Sequence, residues 1–450
     1  MNTKFEITIR NLNLFNTKII SKYKVDLLKI GELFFSIGIF FLPSAPFFSG
    51  LFLFPALLIS FIKNKNNYFR DSWNYPFLFC TFLMIINSFI IFTRGDYTKE
   101  IYDQNLAFIG LLNWIPYFFC FWGFQIYLSS IYLRQRFILL IISGSVPVVI
   151  MGLSQYFFNL HGPFSIFNGL IIWYQRPLTF DSGITSIFNN ANYASSFLNI
   201  ILPLSIALTI KNLNKGTKYL ISILITFSIT ITTILTFSRN GLLNILLTLI
   251  FYSPRIKRYI YIIIFIFCFT TLSFLNREIF PIHEKSLLLN LSNTITNLNF
   301  GDFISSPRYQ IWDSAINFIK EKKLLGWGSA SFPSLLELNK ADFIAQHVHN
   351  MPLDLALSFG IPLSLILNFT LYFLLYKSCI IKKKFKLYFS PKDNSVIDMG
   401  WKISVLIFLL SQLFDLTYFD VRIGLLSWLL FAGLRNIIKE NGQKFLTENN

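Results

Sequence analysis

The sequence predicts an all-α, polytopic integral membrane protein of about twelve transmembrane helices, with one large outer loop between the ninth and the tenth. Three observations carry this. Of 450 residues, 54% are hydrophobic and only 14% charged, against roughly 25% charged in soluble domains. Phenylalanine alone supplies 53 positions, and mean hydropathy is +0.56. So much apolar surface cannot be hidden in one water-soluble core, and the composition also excludes disordered, collagen-like, coiled-coil and disulfide-rich secreted chains. The apolar residues fall into runs of membrane-crossing length, and the basic residues alternate between the loops.

Taken in order, residues 1–26 are basic, carry no small-residue cleavage site, and read as a cytoplasmic lead-in. Candidate helices one to nine occupy 27–275, at 27–42, 47–62, 73–93, 106–133, 137–158, 188–210, 217–237, 239–252 and 257–275. A spanning helix needs about 20 apolar residues. The first two and the eighth are short, and the break from Pro43 to Pro46 leaves a re-entrant pair as an alternative for the first two. The polar segment 276–350 is the large outer loop. Helices ten to twelve occupy 351–436, at 351–376, 400–416 and 420–436, and 437–450 is a cytoplasmic tail.

With the N-terminus inside and the loops alternating, 27 of the 39 Lys and Arg fall on the cytoplasmic side, as the positive-inside rule requires. Seven of the other 12 sit in the long loop, where the rule is weak. Topology thus accounts for the net charge of +17 without a nucleic-acid partner. Cys80, Cys120, Cys268 and Cys379 match no metal or redox spacing and read as small apolar packers.

Inside the long loop, Ser306 to Leu325 reads as an amphipathic helix: Ile311, Trp312, Ala315, Ile316 and Ile319 repeat at three-to-four spacing. Gly326-Trp327-Gly328 breaks it; without a third glycine and a preceding strand it is no phosphate loop. Loops this long are commonly functional.

The outer face collects the chemistry. Arg176 lies in the loop 159–187, Arg239 in the turn Phe237-Ser238-Arg239-Asn240-Gly241, and Arg308 at the start of the amphipathic helix. Guanidinium groups present paired donors that match phosphate oxygens; the alternative for each is snorkelling to lipid headgroups. His347 and His349 close the loop. Their i, i+2 spacing is not the i, i+4 of a helical zinc pair, and no cysteine completes a set, although Asp342 is close, so the spacing points to no metal. Asn350 is a candidate N-cap, with Pro352 in the first turn, where proline is tolerated. His349 then stands just ahead of a helix N-terminus, whose dipole disfavours imidazolium. A neutral histidine can serve as a general base; the alternative is a structural loop cap. His161 and His283 are isolated and read as surface residues. Membrane-centre acids or bases that would mark an ion pathway are scarce.

Together these residues resemble the O-antigen ligase and O-antigen polymerase superfamily. The resemblance rests on Trp173-x-x-Arg176-Pro177 followed by Phe188-Asn189-Asn190-Ala191-Asn192, on Ser238-Arg239-Asn240-Gly241, on Arg308-x-x-x-Trp312 with Gly326-x-Gly328, and on His349-Asn350 followed by Gly360-Ile361. It covers roughly residues 150–375. It implies a bacterial inner-membrane enzyme with both termini cytoplasmic and the large loop periplasmic. The implied reaction moves a glycan from an undecaprenyl-diphosphate carrier to an acceptor glycan or glycolipid, without metal, nucleotide or other cofactor. Carried over, His349 is the base and Arg176, Arg239 and Arg308 hold the diphosphate; His347 has no family counterpart. Asn350 supports the helix start. Asp415 or Asp420, on the same side in the last outer turn, is a candidate to orient His349. Some members of the superfamily are described as bicarbonate transporters, which leaves transport as the alternative; a transporter would be expected to carry broken helices and polar groups at the midplane.

Overall fold

A computed structural model of the chain describes residues 26–93, 102–178, 183–252, 307–380 and 395–448. The elements are α1 (Leu27–Phe41), α2 (Pro46–Asn64), α3 (Asn74–Thr93), α4 (Asn105–Leu128) and α5 (Ile131–Phe158). A short hairpin follows, β1 (Phe164–Ile166) with β2 (Ile171–Trp173), and then α6 (Ala191–Lys211), α7 (Thr217–Leu235) and α8 (Arg239–Tyr252). The remaining helices are α9 (Pro307–Glu321), α10 (Phe332–Leu338), α11 (Met351–Phe359), α12 (Ile361–Ile380), α13 (Ser395–Ser411) and α14 (Val421–Glu448). Among the described residues, eight helices are long and apolar enough to cross a membrane: α2, α3, α4, α5, α6, α7, α12 and α14. At 15, 14 and 17 residues, α1, α8 and α13 are shorter than that. The expected ninth span, 257–275, and the loop as far as residue 306 lie outside the described residues, so the expected twelve are neither reached nor tested.

Several boundaries differ from those expected. Apolar side chains run almost without pause from 106 to 158, and hydropathy puts the break at 134–136. The break is at Ser129-Ser130, because Ser130 caps α5 by accepting from the Leu133 N–H at 3.3 Å. Arg134 and Arg136 therefore ride on the first turns of a helix instead of in a loop. The helix α4 contains 3₁₀ turns at Gly110–Asn113 and Phe124–Leu128, and α5 is jointed at Ser145, ahead of Pro147. The tenth expected span divides at Gly360 into α11 and α12. The helix α13 starts at Ser395, and α14 continues to Glu448, taking in most of the expected tail. The loop 159–187 is not wholly irregular: β1 and β2 pair antiparallel, Phe164 opposite Trp173.

The helix α6 is the centre of the bundle. Its spanning stretch is 94% buried, against 22% for α7 and 28% for α2 and α3, whose outer faces expose Phe, Leu and Ile. It packs along α13, α7 and α8. Tyr252 of α8 donates its hydroxyl to the Pro203 carbonyl of α6 at 2.8 Å.

The contacts sort the turns between two ends of the bundle. At one end, Trp173 Nε1 donates to the Ser44 carbonyl in the α1–α2 turn at 2.7 Å, which joins the hairpin to that turn. At the other, Arg134 lies fully buried. It reaches Asp398 of α13 at 3.0 Å and both carboxylate oxygens of Glu440 of α14 at 3.1 and 2.8 Å. Arg435 pairs with Asp71 at 2.8 Å at the same end. Arg134 and Arg435 are both among the basic residues that the charge rule assigns to one side of the membrane.

Candidate active site

The site grows from the C-terminal end of α13. Gln412, fully buried, turns its side chain onto the chain just beyond: its amide donates to Thr417 Oγ1 at 2.7 Å and its oxygen accepts the Thr417 N–H at 3.2 Å. Thr417 also bonds Ser196 of α6 at 2.8 Å. The turn 412–420 is thereby fixed to the bundle centre, and Asp415 within it is 4% exposed.

Three consecutive residues dock on this turn. The Met351 N–H donates to the Gln412 carbonyl at 2.8 Å, Asn350 Nδ2 donates to the Leu413 carbonyl at 2.9 Å, and His349 Nδ1 lies 2.9 Å from Asp415 Oδ1. Asn350 is the N-cap of α11 as expected, accepting the Leu353 N–H at 3.0 Å, and Pro352 sits in the first turn. His349 holds a left-handed backbone, φ +55°, which costs a non-glycine residue on the order of 1 kcal/mol and aims its ring at Asp415.

The loop ahead of His349 is gripped from two sides. Trp312 of α9 donates Nε1–H to the Val348 carbonyl at 3.1 Å. Below, the buried Asp354 carboxylate accepts the Val348 N–H and the Tyr418 hydroxyl, the latter at 3.1 Å. The expected amphipathic helix is thus present as Pro307–Glu321, with Ile311, Ala315 and Ile319 buried. Ile316 faces out, 39% exposed, and Phe318 fills the inner face in its stead. The break after it serves packing. The Trp327 and Gly328 N–H groups donate to the carbonyls of Leu357 and Ser358 at 2.7 and 2.9 Å, closing the C-terminal end of α11. At Gly360, φ +92°, a Cβ would fall on the Leu324 carbonyl oxygen, so only glycine fits.

Asp415 is acidic for a buried group. Burial pushes its carboxyl up, but the His349 hydrogen bond and charge outweigh this and hold it below the ordinary carboxylate range. A carboxylate only accepts, so the His349 nitrogen facing it, Nδ1, is the one that donates, and Nε2 is the nitrogen turned away from Asp415. His349 is 30% exposed. His347 lies against it, ring centroids 4.3 Å apart and planes tilted by 48°. Burial, helped by His349, pushes His347 down to about 4, so it is neutral at physiological pH. Spacing alone pointed to no metal, yet the fold adds Asp415: one ligand atom each from His347, His349 and Asp415 lie within 4.8 Å of one another.

Asp420 does not orient His349. It binds Arg422, Oδ1 to Nε at 2.9 Å, and caps α14 through the Arg422 N–H; the Arg422 guanidinium lies 3.7 Å over the Phe188 ring. Of the two acids named as candidates for this role, Asp415 is the one in contact with His349.

The three expected arginines are exposed and have no side-chain partner among the described residues. The backbone of Arg176 is held by Gln155 of α5, fully buried, which donates to its carbonyl at 2.6 Å; the Arg176 N–H donates to Thr185 at 3.0 Å. Gln155 also accepts from Thr185 and Ser186, and the Ile184 N–H donates to Leu235 at the end of α7 at 3.0 Å. The Arg176 segment is therefore tied to the turn that leads into Arg239. Arg239 is not in the turn itself but is the first residue of α8, capped by Ser238, which accepts the Gly241 N–H at 3.3 Å. Asn244, one turn on, donates to Ser411 at the end of α13 at 2.8 Å, next to the turn that bears Asp415. Arg308 precedes Trp312 by one helical turn, hence on the same face of α9. All three thus belong to the end of the bundle that carries His349. The expected asparagine-rich helix start is also real: Asn190 caps α6, accepting from Asn192 at 2.7 Å.

Residues 222–367 match the family model described as O-antigen ligase. Over this segment the chain resembles the O-antigen ligase superfamily, and the match supports membership of it. The matched segment runs from the first third of α7 into α12, and it contains Arg239, Arg308, His347, His349 and Asn350. Arg176, Asp415 and Asp420 lie outside it, on segments the fold brings to the domain. No curated protein matches the chain. Family and helices together indicate a multi-pass membrane protein of general O-antigen ligase or polymerase type.

Sequence reasoning singled out Trp312 as part of a motif but did not pair it with Val348, and it passed over Asp354, an acid inside an apolar run. Gln155 left a weak signal, a polar side chain inside an apolar run.

Proposed function

We propose that the protein is a glycosyltransferase. It takes a glycan from an undecaprenyl-diphosphate carrier at the periplasmic face of the inner membrane and moves it to an acceptor hydroxyl, in surface polysaccharide synthesis. The observation that carries the reading is the His349–Asp415 pair at 2.9 Å, lying where the O-antigen ligase domain meets the last outer turn. Asp415 holds the imidazole in one tautomer, and Nε2 of His349 takes the proton from the acceptor hydroxyl. The oxygen attacks the anomeric carbon from the face opposite the leaving group, the bond from that carbon to the diphosphate breaks, and the configuration inverts. Arg176, Arg239 and Arg308 stabilise the charge that collects on the departing diphosphate. The carrier is already activated, so the step needs no nucleotide and no metal.

The test uses purified protein reconstituted with an undecaprenyl-diphosphate glycan and candidate acceptors. Wild type releases undecaprenyl diphosphate; His349→Ala, folded by gel filtration, releases none. Asp415→Asn falls by 10²–10⁴-fold, as loss of an imidazole-orienting acid does elsewhere. Normal transfer by His349→Ala would overturn the base assignment. No release by folded wild type with any donor would turn the reading to transport.

A further inference from the structure

We propose that His347, His349 and Asp415 form an inhibitory binding site for a divalent transition metal, zinc above all. The inhibitory role rests on the transfer reading; the metal site itself stands apart from it.

The ligand set is chemically specific. Two imidazoles and one carboxylate suit zinc, copper or nickel, whereas magnesium and calcium require more oxygen ligands. Zinc–ligand bonds of about 2.0–2.2 Å put tetrahedral ligand atoms about 3.3 Å apart. One pair already stands at 2.9 Å, and no pair exceeds 4.8 Å. Closing the widest gap takes side-chain movement of about 1.5 Å at most.

The scaffold presents the set. Val348, between the two histidines, is held by Trp312 through its carbonyl and by Asp354 through its N–H. Asp415 sits on the turn pinned by Gln412. His349 is 30% exposed, so an ion has a way in and a water can complete the fourth position. His347 has no part in the proton transfer, yet its ring lies 4.3 Å, centroid to centroid, from that of the base.

Bound metal stops the base by either geometry. Coordination at Nε2 of His349 takes the lone pair that would accept the hydroxyl proton. Coordination at Nδ1 moves the ring proton onto Nε2, which then cannot accept one.

Tag-free wild type, His347→Gln and His347→Ala, each stripped with chelator and shown to be monodisperse, are titrated with zinc chloride against a chromophoric competitor. Wild type is expected to bind one equivalent, and both variants to bind at least tenfold more weakly. Transfer is then measured in each protein with and without zinc, relative to its own metal-free rate. Zinc should inhibit wild type, chelator should restore it, and both variants should resist. Absence of stoichiometric binding, or equal affinity in all three proteins, would overturn the site. Activity that requires zinc, or zinc binding in a protein that transfers nothing, would overturn the inhibitory role.

Discussion

Arg239 stands at the first position of α8 with its guanidinium exposed and no partner among the described residues. If its work is to meet a diphosphate with paired donors, lysine cannot replace it. Arg239→Lys should raise the donor KM by about tenfold or more, read by undecaprenyl diphosphate release across a donor titration. Wild-type behaviour would assign Arg239 to lipid headgroups. Asp354 predicts the opposite split. It reaches no substrate but holds Val348, and through it the aim of His349. Asp354→Asn should lower kcat by about tenfold and leave donor KM unchanged; a fall in both would mean a general loss of structure. At this scale the sequence was readable where function and backbone chemistry coincide in one short string. His349-Asn350 ahead of a proline-bearing helix is such a string. Asp415 was nameable only by its side of the membrane, because the 66 residues separating it from His349 conceal a 2.9 Å contact. Asp420 looked equivalent and is not, since Arg422 two residues away claims it.

Among the elements, two starts opened by asparagine were readable. Asn190 opens α6 and Asn350 opens α11, each accepting a backbone N–H of the first turn. Asn350→Ala removes that cap and the bond to Leu413 together. It should cost about 1 kcal/mol from the cap alone and lower the thermal midpoint in detergent. Gly360→Ala should cost more, since alanine is strained at φ +92° and meets the Leu324 carbonyl; a neutral result would show that the α9–α11 packing yields easily. The α4–α5 boundary was unreadable by hydropathy because apolar residues continue through it, and only the Ser130 cap marks it. The break at Gly326-Trp327-Gly328 was visible as a break. Its purpose, closing the end of α11, depends on a helix thirty residues further on.

Across the whole molecule, loop charge predicted which turns share an end, and the contacts at two such meetings agree with it. Ser44 meets Trp173 at the site end; Arg134, Asp398 and Glu440 meet at the opposite end. Hydropathy could not show that α6 is the axis, since a helix buried in protein and one facing lipid are equally apolar. The ion cluster makes a prediction at this scale. Arg134 is wholly buried, while Asp398 and Glu440 keep 18% and 27% side-chain exposure. Removing both acids strands a buried cation and should destabilise by on the order of 3 kcal/mol. Arg134→Met leaves two acids that can still reach water and should cost less. Unfolding of Asp398→Asn/Glu440→Gln and Arg134→Met in the same detergent ranks them, and the reverse order would place the charge at a wetter site.

The same cluster imposes an order of events on biogenesis. Arg134 enters with α5, but its partners come 264 and 306 residues later. At synthesis rates of about 5–20 residues per second, it waits on the order of half a minute for α14. Until then the growing protein holds a cation that only Asp398 can partly compensate, and a chain stopped short of Glu440 lacks its two-pronged partner. The arrival of the last helix is therefore the step that completes this end of the bundle.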